Sequence, residues 1–166
     1  MSIRVGNGYD SHRFAAGRPL RLGGVTVPHT HGLAGHSDGD AAIHAIADAL
    51  LGAAALGDLG QHFKDDDPRW KGMDSTVFLK GVRDVLAANG FEPAQVDVTI
   101  LCERPKLAPH IAAMREATAR ALGIAVGAVS FKAKTNEGMG LIGKGEGIGA
   151  VAVATVQDAA SPLSSR

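Results

Sequence analysis

Two short stretches hold the residue types of a metal site. One is Gly8-Tyr9-Asp10-Ser11-His12, the other His36-Ser37-Asp38-Gly39-Asp40-Ala41-Ala42-Ile43-His44, and the candidate ligands are Asp10, His12 and His44. Three nitrogen and oxygen ligands leave one tetrahedral corner for water or substrate, the arrangement of a catalytic zinc; a structural zinc usually has four protein ligands, often Cys. The single cysteine, Cys102, excludes a Cys-rich structural site. On an extended strand Asp10 and His12 point to one face, ~6–7 Å apart along the chain. His44 falls about one turn into a helical pattern with Asp48 at i+4. From there the Asp48 carboxylate is expected to accept the second ring N–H of His44 and fix its tautomer. The spacing alone leaves plainer alternatives open: a strand-end turn with a solvated His12, and a helix-surface His44 paired with Asp48.

These residues need elements to position them. Residues 3–9 alternate weakly and read as a strand, and residues 20–27, with Gly23-Gly24 inside, read as a short hairpin. Over residues 40–56, Ile43, Ile46, Ala47, Leu50 and Leu51 fall on one helical stripe. Ser37, Asp38 and Asp40 are its candidate N-caps, and the Gly-Asp-Leu-Gly of residues 57–60 ends it. Residues 61–74 read as a polar loop with the acidic run Asp65-Asp66-Asp67. A second helix starts at Asp74 or Ser75 and closes at Asn89-Gly90. Strands are predicted over 96–101, 129–134 and 148–156, a third helix over 111–122, and a glycine-rich turn region over 138–149. The mixture predicts one α+β domain over residues 1–158, with helices on one face of a sheet and a loose tail over 159–166.

Composition narrows the class. A chain of 166 residues suits one domain with a full core. Seventeen basic and seventeen acidic residues balance, which gives no support for general nucleic-acid or membrane-surface binding. A lone cysteine favours the cytoplasm, the N-terminus lacks a signal-peptide layout, and no run reaches the ~20 apolar residues of a membrane span. The sequence closes without a second domain, so no fusion to a neighbouring enzyme is expected.

The run of residues 36–53 resembles the signature of the 2-C-methyl-D-erythritol 2,4-cyclodiphosphate synthase family. Further segments match in order: Gly8-Tyr9-Asp10-Ser11-His12, residues 57–60, the loop 63–67, Lys71-Gly72-Met73-Asp74-Ser75, Arg104-Pro105-Lys106 and Lys144-Gly145-Glu146-Gly147-Ile148. The resemblance spans roughly residues 3–157. It implies a homotrimer with active sites between subunits, each subunit packing helices on a four-stranded mixed sheet. It implies cyclisation of 4-diphosphocytidyl-2-C-methyl-D-erythritol 2-phosphate with release of CMP. Zinc is then expected on Asp10, His12 and His44, and Mg²⁺ or Mn²⁺ on Glu137. His36 and Thr135 are expected to stabilise the transition state and Ser37 to contact phosphate. Asp58, Leu59, Gly60, Phe63, Asp65 and Asp67 match the methylerythritol segment. Cys102, Pro105, Lys106 and Ala108 match the cytidine loop, with Lys134 and Asn136 beside it.

Taken singly, several of these residues have ordinary readings: Glu137 a solvated turn, Thr135 a strand end, Asp65-Asp66-Asp67 a solvated loop, Cys102 a small apolar residue. The helix start near Asp38 favours phosphate through its N–H groups, and it can be a plain cap at the same time. There are departures from the family pattern. Lys64 stands where Pro is frequent, and Lys134 and Asn136 where Thr is common. Leu141 and Lys144 stand where Phe and Arg line an axial cavity able to hold an isoprenoid diphosphate. Lys is a point charge without Arg's planar fork, which counts against that ligand here. Two rival functions remain at this level. One is a zinc phosphohydrolase using bound water. The other is a trimeric scaffold whose structural metal recruits His31 or His62 as a fourth ligand.

Overall fold

The computed structural model describes residues 2–64 and 66–159. Met1, Asp65 and residues 160–166 lie outside the described residues, and with them the expectations for Asp65 and for the tail beyond Ala159. Strand β1 (Ile3–Ala15) pairs antiparallel with β7 (Gly147–Asp158), β7 with β5 (Phe91–Leu101), and β5 runs parallel to β6 (Val129–Lys134). A fifth strand corrects the expected four: β4 (Gly32–Leu33) adds to the outer edge of β1, opposite Phe14 and Ala15. Two residues carry no periodicity that a sequence pattern can register. The predicted hairpin is β2 (Leu20–Leu22) and β3 (Val25–Val27), turning on Gly23 and Gly24 at φ +61° and +78°, as a tight two-residue turn requires.

The helices are α1 (Ala41–Ala53), a single turn α2 (Leu59–His62), α3 (Thr76–Ala88), α4 (Ile111–Leu122) and a single turn α5 (Gly140–Gly143). The loop predicted over 61–74 thus contains the end of α2 and a 3-10 turn at Pro68–Trp70. Helix α1 lies across β1 and β7, α3 packs on β5 and α4 on β6, with α3 also covering α1. Enclosed in this way, α1 buries nearly every side, including Ile43, Ile46, Leu50 and Leu51.

Two glycines set how closely α1 approaches the sheet. A Cβ at Gly6 would stand 2.2 Å from the Ala49 carbonyl oxygen, and one at Gly8 2.1 Å from that of Ala45. The pleat places positions 6, 8, 10 and 12 on one face. The two glycines therefore seat the helix, and Asp10 and His12 emerge on the same face beyond its N-terminus. Buried Asp40 fixes that terminus: its carboxylate accepts from Ile43 N–H at 3.0 Å, Gly23 N–H at 2.9 Å and Gly24 N–H at 2.7 Å. The opposite face of the sheet carries exposed Ile3, Val5, Tyr9, Val151 and Val153. Among the described residues no helix is long and apolar enough to cross a membrane.

Candidate metal centre

Asp10 Oδ2, His12 Nε2 and His44 Nδ1 form a small triangle. The carboxylate oxygen is 2.8 Å from His12 and 3.0 Å from His44, and the two ring nitrogens are 3.3 Å apart. A tetrahedral zinc with ligands at ~2.0–2.1 Å sets neighbouring donors ~3.3–3.4 Å apart. The three atoms therefore need to open by only a few tenths of an ångström to hold an ion, and they are the one group of three or more His, Cys, Asp or Glu side chains among the described residues so arranged. Burial opposes ionisation of Asp10, but hydrogen bonds and charge from His12 and His44 outweigh it and bring its carboxyl down to about 2. Burial likewise opposes charge on His44, yet its hydrogen bond to Asp10 and the nearby carboxylates raise it above the ordinary histidine value.

The Asp48 expectation is corrected. Asp48 Oδ1 accepts from the Leu59 N–H at 2.7 Å, tying α1 to the start of α2. The second nitrogen of His44, Nε2, lies instead 3.0 Å from Ser75 Oγ and 3.2 Å from Ser37 Oγ. Helical spacing put Asp48 near His44 but could not reveal that a backbone donor from the next turn claims its oxygen. From sequence Ser75 reads as a helix start within the matched segment 71–75.

The triangle opens onto a cavity of about 450 Å³ that also takes in His36, Ser37, Asp48, Asp58, Leu59, Gly60 and Phe63. Phe63, Trp70 and Phe78 form its apolar wall, with ring centroids 5.4–5.6 Å apart in edge-to-face pairs. Asp58 caps α2 by accepting the Gln61 N–H at 3.0 Å. The segment bearing His36 and Ser37 is braced by Arg18, whose guanidinium donates to the Gly35 carbonyl at 2.7 Å and to the Ser37 carbonyl. His36 Nε2 donates to the Asp67 carbonyl at 3.2 Å, and the Asp67 carboxylate is engaged by Arg69 rather than facing the cavity. Sequence reasoning missed Trp70, Phe78 and Arg18, none of which belongs to a chemical motif; Ser75 lies in the matched segment 71–75, but only the fold aims it at His44.

The remaining candidates gather elsewhere. Cys102, Pro105, Lys106, Ala108, Lys134 and Thr135 line a second cavity of about 400 Å³, and no residue lines both. Cys102 is buried, and that burial pushes its thiol up to about 11, so it is no nucleophile. Glu103 Oε1 accepts the Asn136 N–H at 2.6 Å and joins the two loops that make this cavity. Thr135 Oγ1 donates to Glu137 at 3.0 Å, and Glu137 sits at φ +51°, a left-handed conformation unusual for a residue with a side chain. Leu141 lines a third recess with His12, Arg13, Ile142 and Glu146; Lys144 is the exposed C-cap of α5 and does not line it.

The sheet register measures the separation. Asp10 lies opposite Ala150, Ala150 opposite Ile100, and Ile100 opposite Ala133. Three strand spacings amount to about 14 Å. Thr135 stands just past the end of β6, so the metal triangle and the Thr135 loop are separate places on the chain.

The model of the YgbB family matches residues 3–157, almost the whole of the described chain. The chain belongs to the YgbB family. It is 56% identical over 157 residues to the 2-C-methyl-D-erythritol 2,4-cyclodiphosphate synthase of Salinibacter ruber, covering 95% of this chain and 100% of that protein. It is 54% identical to the synthase of the same name from Dechloromonas aromatica, covering 95% and 98%. A solved 2C-methyl-D-erythritol-2,4-cyclodiphosphate synthase in its CDP-bound form superposes with a TM-score of 0.84 at 40% identity, covering 93% of this YgbB chain and all of that one. The bifunctional IspDF from Campylobacter jejuni superposes at 0.90 and 38% identity, this chain spanning 95% of itself and 42% of the larger protein.

Proposed function

We propose that this chain converts 4-diphosphocytidyl-2-C-methyl-D-erythritol 2-phosphate to 2-C-methyl-D-erythritol 2,4-cyclodiphosphate and CMP, as a single-domain lyase of the non-mevalonate isoprenoid pathway. It works in the cytoplasm as a homotrimer with sites between adjacent subunits. The observation that carries this reading is the pair of half-sites about 14 Å apart across one sheet. Neither half holds the full set of candidate residues, and in the proposed trimer a neighbouring subunit brings the other. The exposed apolar sheet face, with Ile3, Val5, Tyr9, Val151 and Val153, is the surface available for that association.

In the reaction a 2-phosphate oxygen bonds to the β-phosphorus, the bridge from that phosphorus to the α-phosphate breaks, and CMP leaves with the bonding electrons. No water is consumed. Both reacting groups are anions, so the barrier falls through positioning and neutralisation, without a protein nucleophile. When bound, zinc on Asp10, His12 and His44 and Mg²⁺ or Mn²⁺ on Glu137 supply Lewis-acid neutralisation at phosphate oxygens. His36 and Ser37 hold the 2-phosphate, and Asp58, Leu59, Gly60 and Phe63 receive the methylerythritol. Across the boundary, Cys102, Pro105, Lys106 and Ala108 form the cytidine loop, with Lys106 and Lys134 facing the diphosphate and Thr135 the transferred phosphorus. Asn136 is held beside them by Glu103. Asp65 and Asp67 are assigned to the same sugar-binding role. An isoprenoid diphosphate at the trimer axis is left out of this reading because Leu141 and Lys144 replace an aromatic ring and a guanidinium.

Phosphorus NMR on the purified protein with substrate and Mg²⁺, with and without a chelator, tests this reading. A cyclic diphosphate signal with equal CMP, abolished by the chelator, is the expected result. Inorganic phosphate would instead identify a hydrolase, and metal-replete protein that leaves the substrate intact would remove the assignment.

A further inference from the structure

Both ring nitrogens of His44 are engaged, and on opposite sides. Nδ1 faces Asp10 and His12 in the metal triangle. Nε2 faces inward, 3.0 Å from Ser75 Oγ. Ser75 is wholly buried. Its hydroxyl donates to Asp38 Oδ1, while its backbone N–H donates to Asp38 Oδ2 at 2.9 Å. Asp38 is itself held by the Asp40 N–H at 3.1 Å, with the Arg21 guanidinium 3.8 Å away.

A hydroxyl has one proton to give. That of Ser75 is committed to a carboxylate with only donors around it, so toward His44 the Ser75 oxygen can only accept. Nε2 must then carry a proton, which in the neutral ring leaves the lone pair on Nδ1, the nitrogen that points at Asp10 and His12. We propose that Asp38 and Ser75 are positioning residues for the metal centre: through this chain they fix the tautomer and the ring plane of His44 so that Nδ1 is the ligand atom. The arrangement is a carboxylate–histidine–metal relay with a serine inserted between carboxylate and ring. It explains why the N-termini of α1 and α3 are bound together at this point. The proposal rests on the reading of Asp10, His12 and His44 as a metal site.

The test is zinc affinity by chelator competition for the native protein, Ser75→Ala and Ser75→Thr, with the His44 ring read by two-bond ¹H–¹⁵N NMR in the zinc-loaded protein. The native protein is expected to show a proton on Nε2. Ser75→Ala is expected to bind zinc roughly tenfold more weakly, because the Ser37 hydroxyl remains at 3.2 Å as a partial substitute. Ser75→Thr, which keeps the hydroxyl, restores most of the affinity. Native protein with the proton on Nδ1, or a Ser75→Ala variant with unchanged affinity and ring-proton exchange, overturns the proposal. If Ser75→Ala fails to fold, Asp38→Asn carries the same test, with zinc binding expected to weaken about tenfold and unchanged affinity overturning the proposal. Failure of the metal reading itself is a different result: native protein that binds no zinc, or binding that survives Asp10→Ala and His12→Ala.

Discussion

Asp10 and Ala133 occupy one row across the sheet, at opposite ends of the register Asp10–Ala150–Ile100–Ala133. The two ends of this row carry the two halves of the proposed chemistry. One half binds metal beside the sugar segment; the other presents the cytidine loop and Thr135. The fold sets the halves about 14 Å apart, and in the proposed trimer the substrate spans from one subunit to the next.

The seat of α1 on β1 has a direct cost test. Gly8→Ala would place a methyl 2.1 Å from the Ala45 carbonyl oxygen, a backbone atom with little room to yield. A loss of about 3 kcal/mol in urea unfolding is expected, with weaker metal binding because His44 moves with the helix. Gly52→Ala on the same helix meets nothing nearer than 3.8 Å and is expected to be neutral or stabilising by up to ~1 kcal/mol.

Metal affinity should depend on pH in a defined direction. Zinc needs His44 neutral at Nδ1, and the carboxylates around it raise its proton affinity above the ordinary value of 6.5. Asp10, held at about 2, stays ionised throughout and adds no slope in this range. In the metal-free protein the protonated His44 stabilises the fold below 6.5, and this contribution is lost as pH rises through its folded value. The melting-temperature gap between zinc-loaded and metal-free protein should therefore widen from pH 6 to pH 8, as scanning calorimetry would show.

Arg18 braces the carbonyls on either side of His36. Arg18→Ala should lower kcat/KM ten- to a hundredfold by loosening the placement of His36 and Ser37, while the melting temperature changes little. Arg18→Lys should recover only part of the rate, since one ammonium cannot reach both carbonyls in the fork geometry. Steady-state kinetics on the two variants distinguishes this from a purely structural role.

Cys102 lines the second cavity, yet its burial raises the thiol from 9.0 to about 11. At pH 8 its thiolate fraction is about a hundredfold below that of an unperturbed cysteine. Alkylation by iodoacetamide should be correspondingly slow in folded protein and fast in urea.

Much of this could be read from residue order, because the strongest signals are local. The i, i+2 spacing put Asp10 and His12 on one face, the apolar stripe put His44 in the first turn of a helix, and α4 and β6 fall where the pattern ended them. What escaped depends on partners distant in sequence. Strand β5 begins at Phe91 rather than Val96 because Pro93 is accommodated where the register to β7 shifts, between Pro93 and Gln95. The two-residue β4 exists only through its pairing with Phe14 and Ala15. Asp48 was assigned to His44 on helical spacing alone, and the Leu59 N–H, eleven residues on, decides otherwise. Ser75 and Asp38 read as capping residues; their link to His44 needs the ends of two helices brought together.

The measurement that bears most directly on a shared site is subunit complementation. His44→Ala disables the metal half and Glu137→Ala the diphosphate half, so each variant alone should be inactive. Co-expressed in equal amounts with different tags, and purified as mixed trimers, they should regain about a third of native turnover. A mixed trimer holds two copies of one variant and one of the other, so one of its three boundaries joins an intact metal half to an intact diphosphate half. Mixed trimers with no more activity than the separate variants would contradict an active site built between subunits.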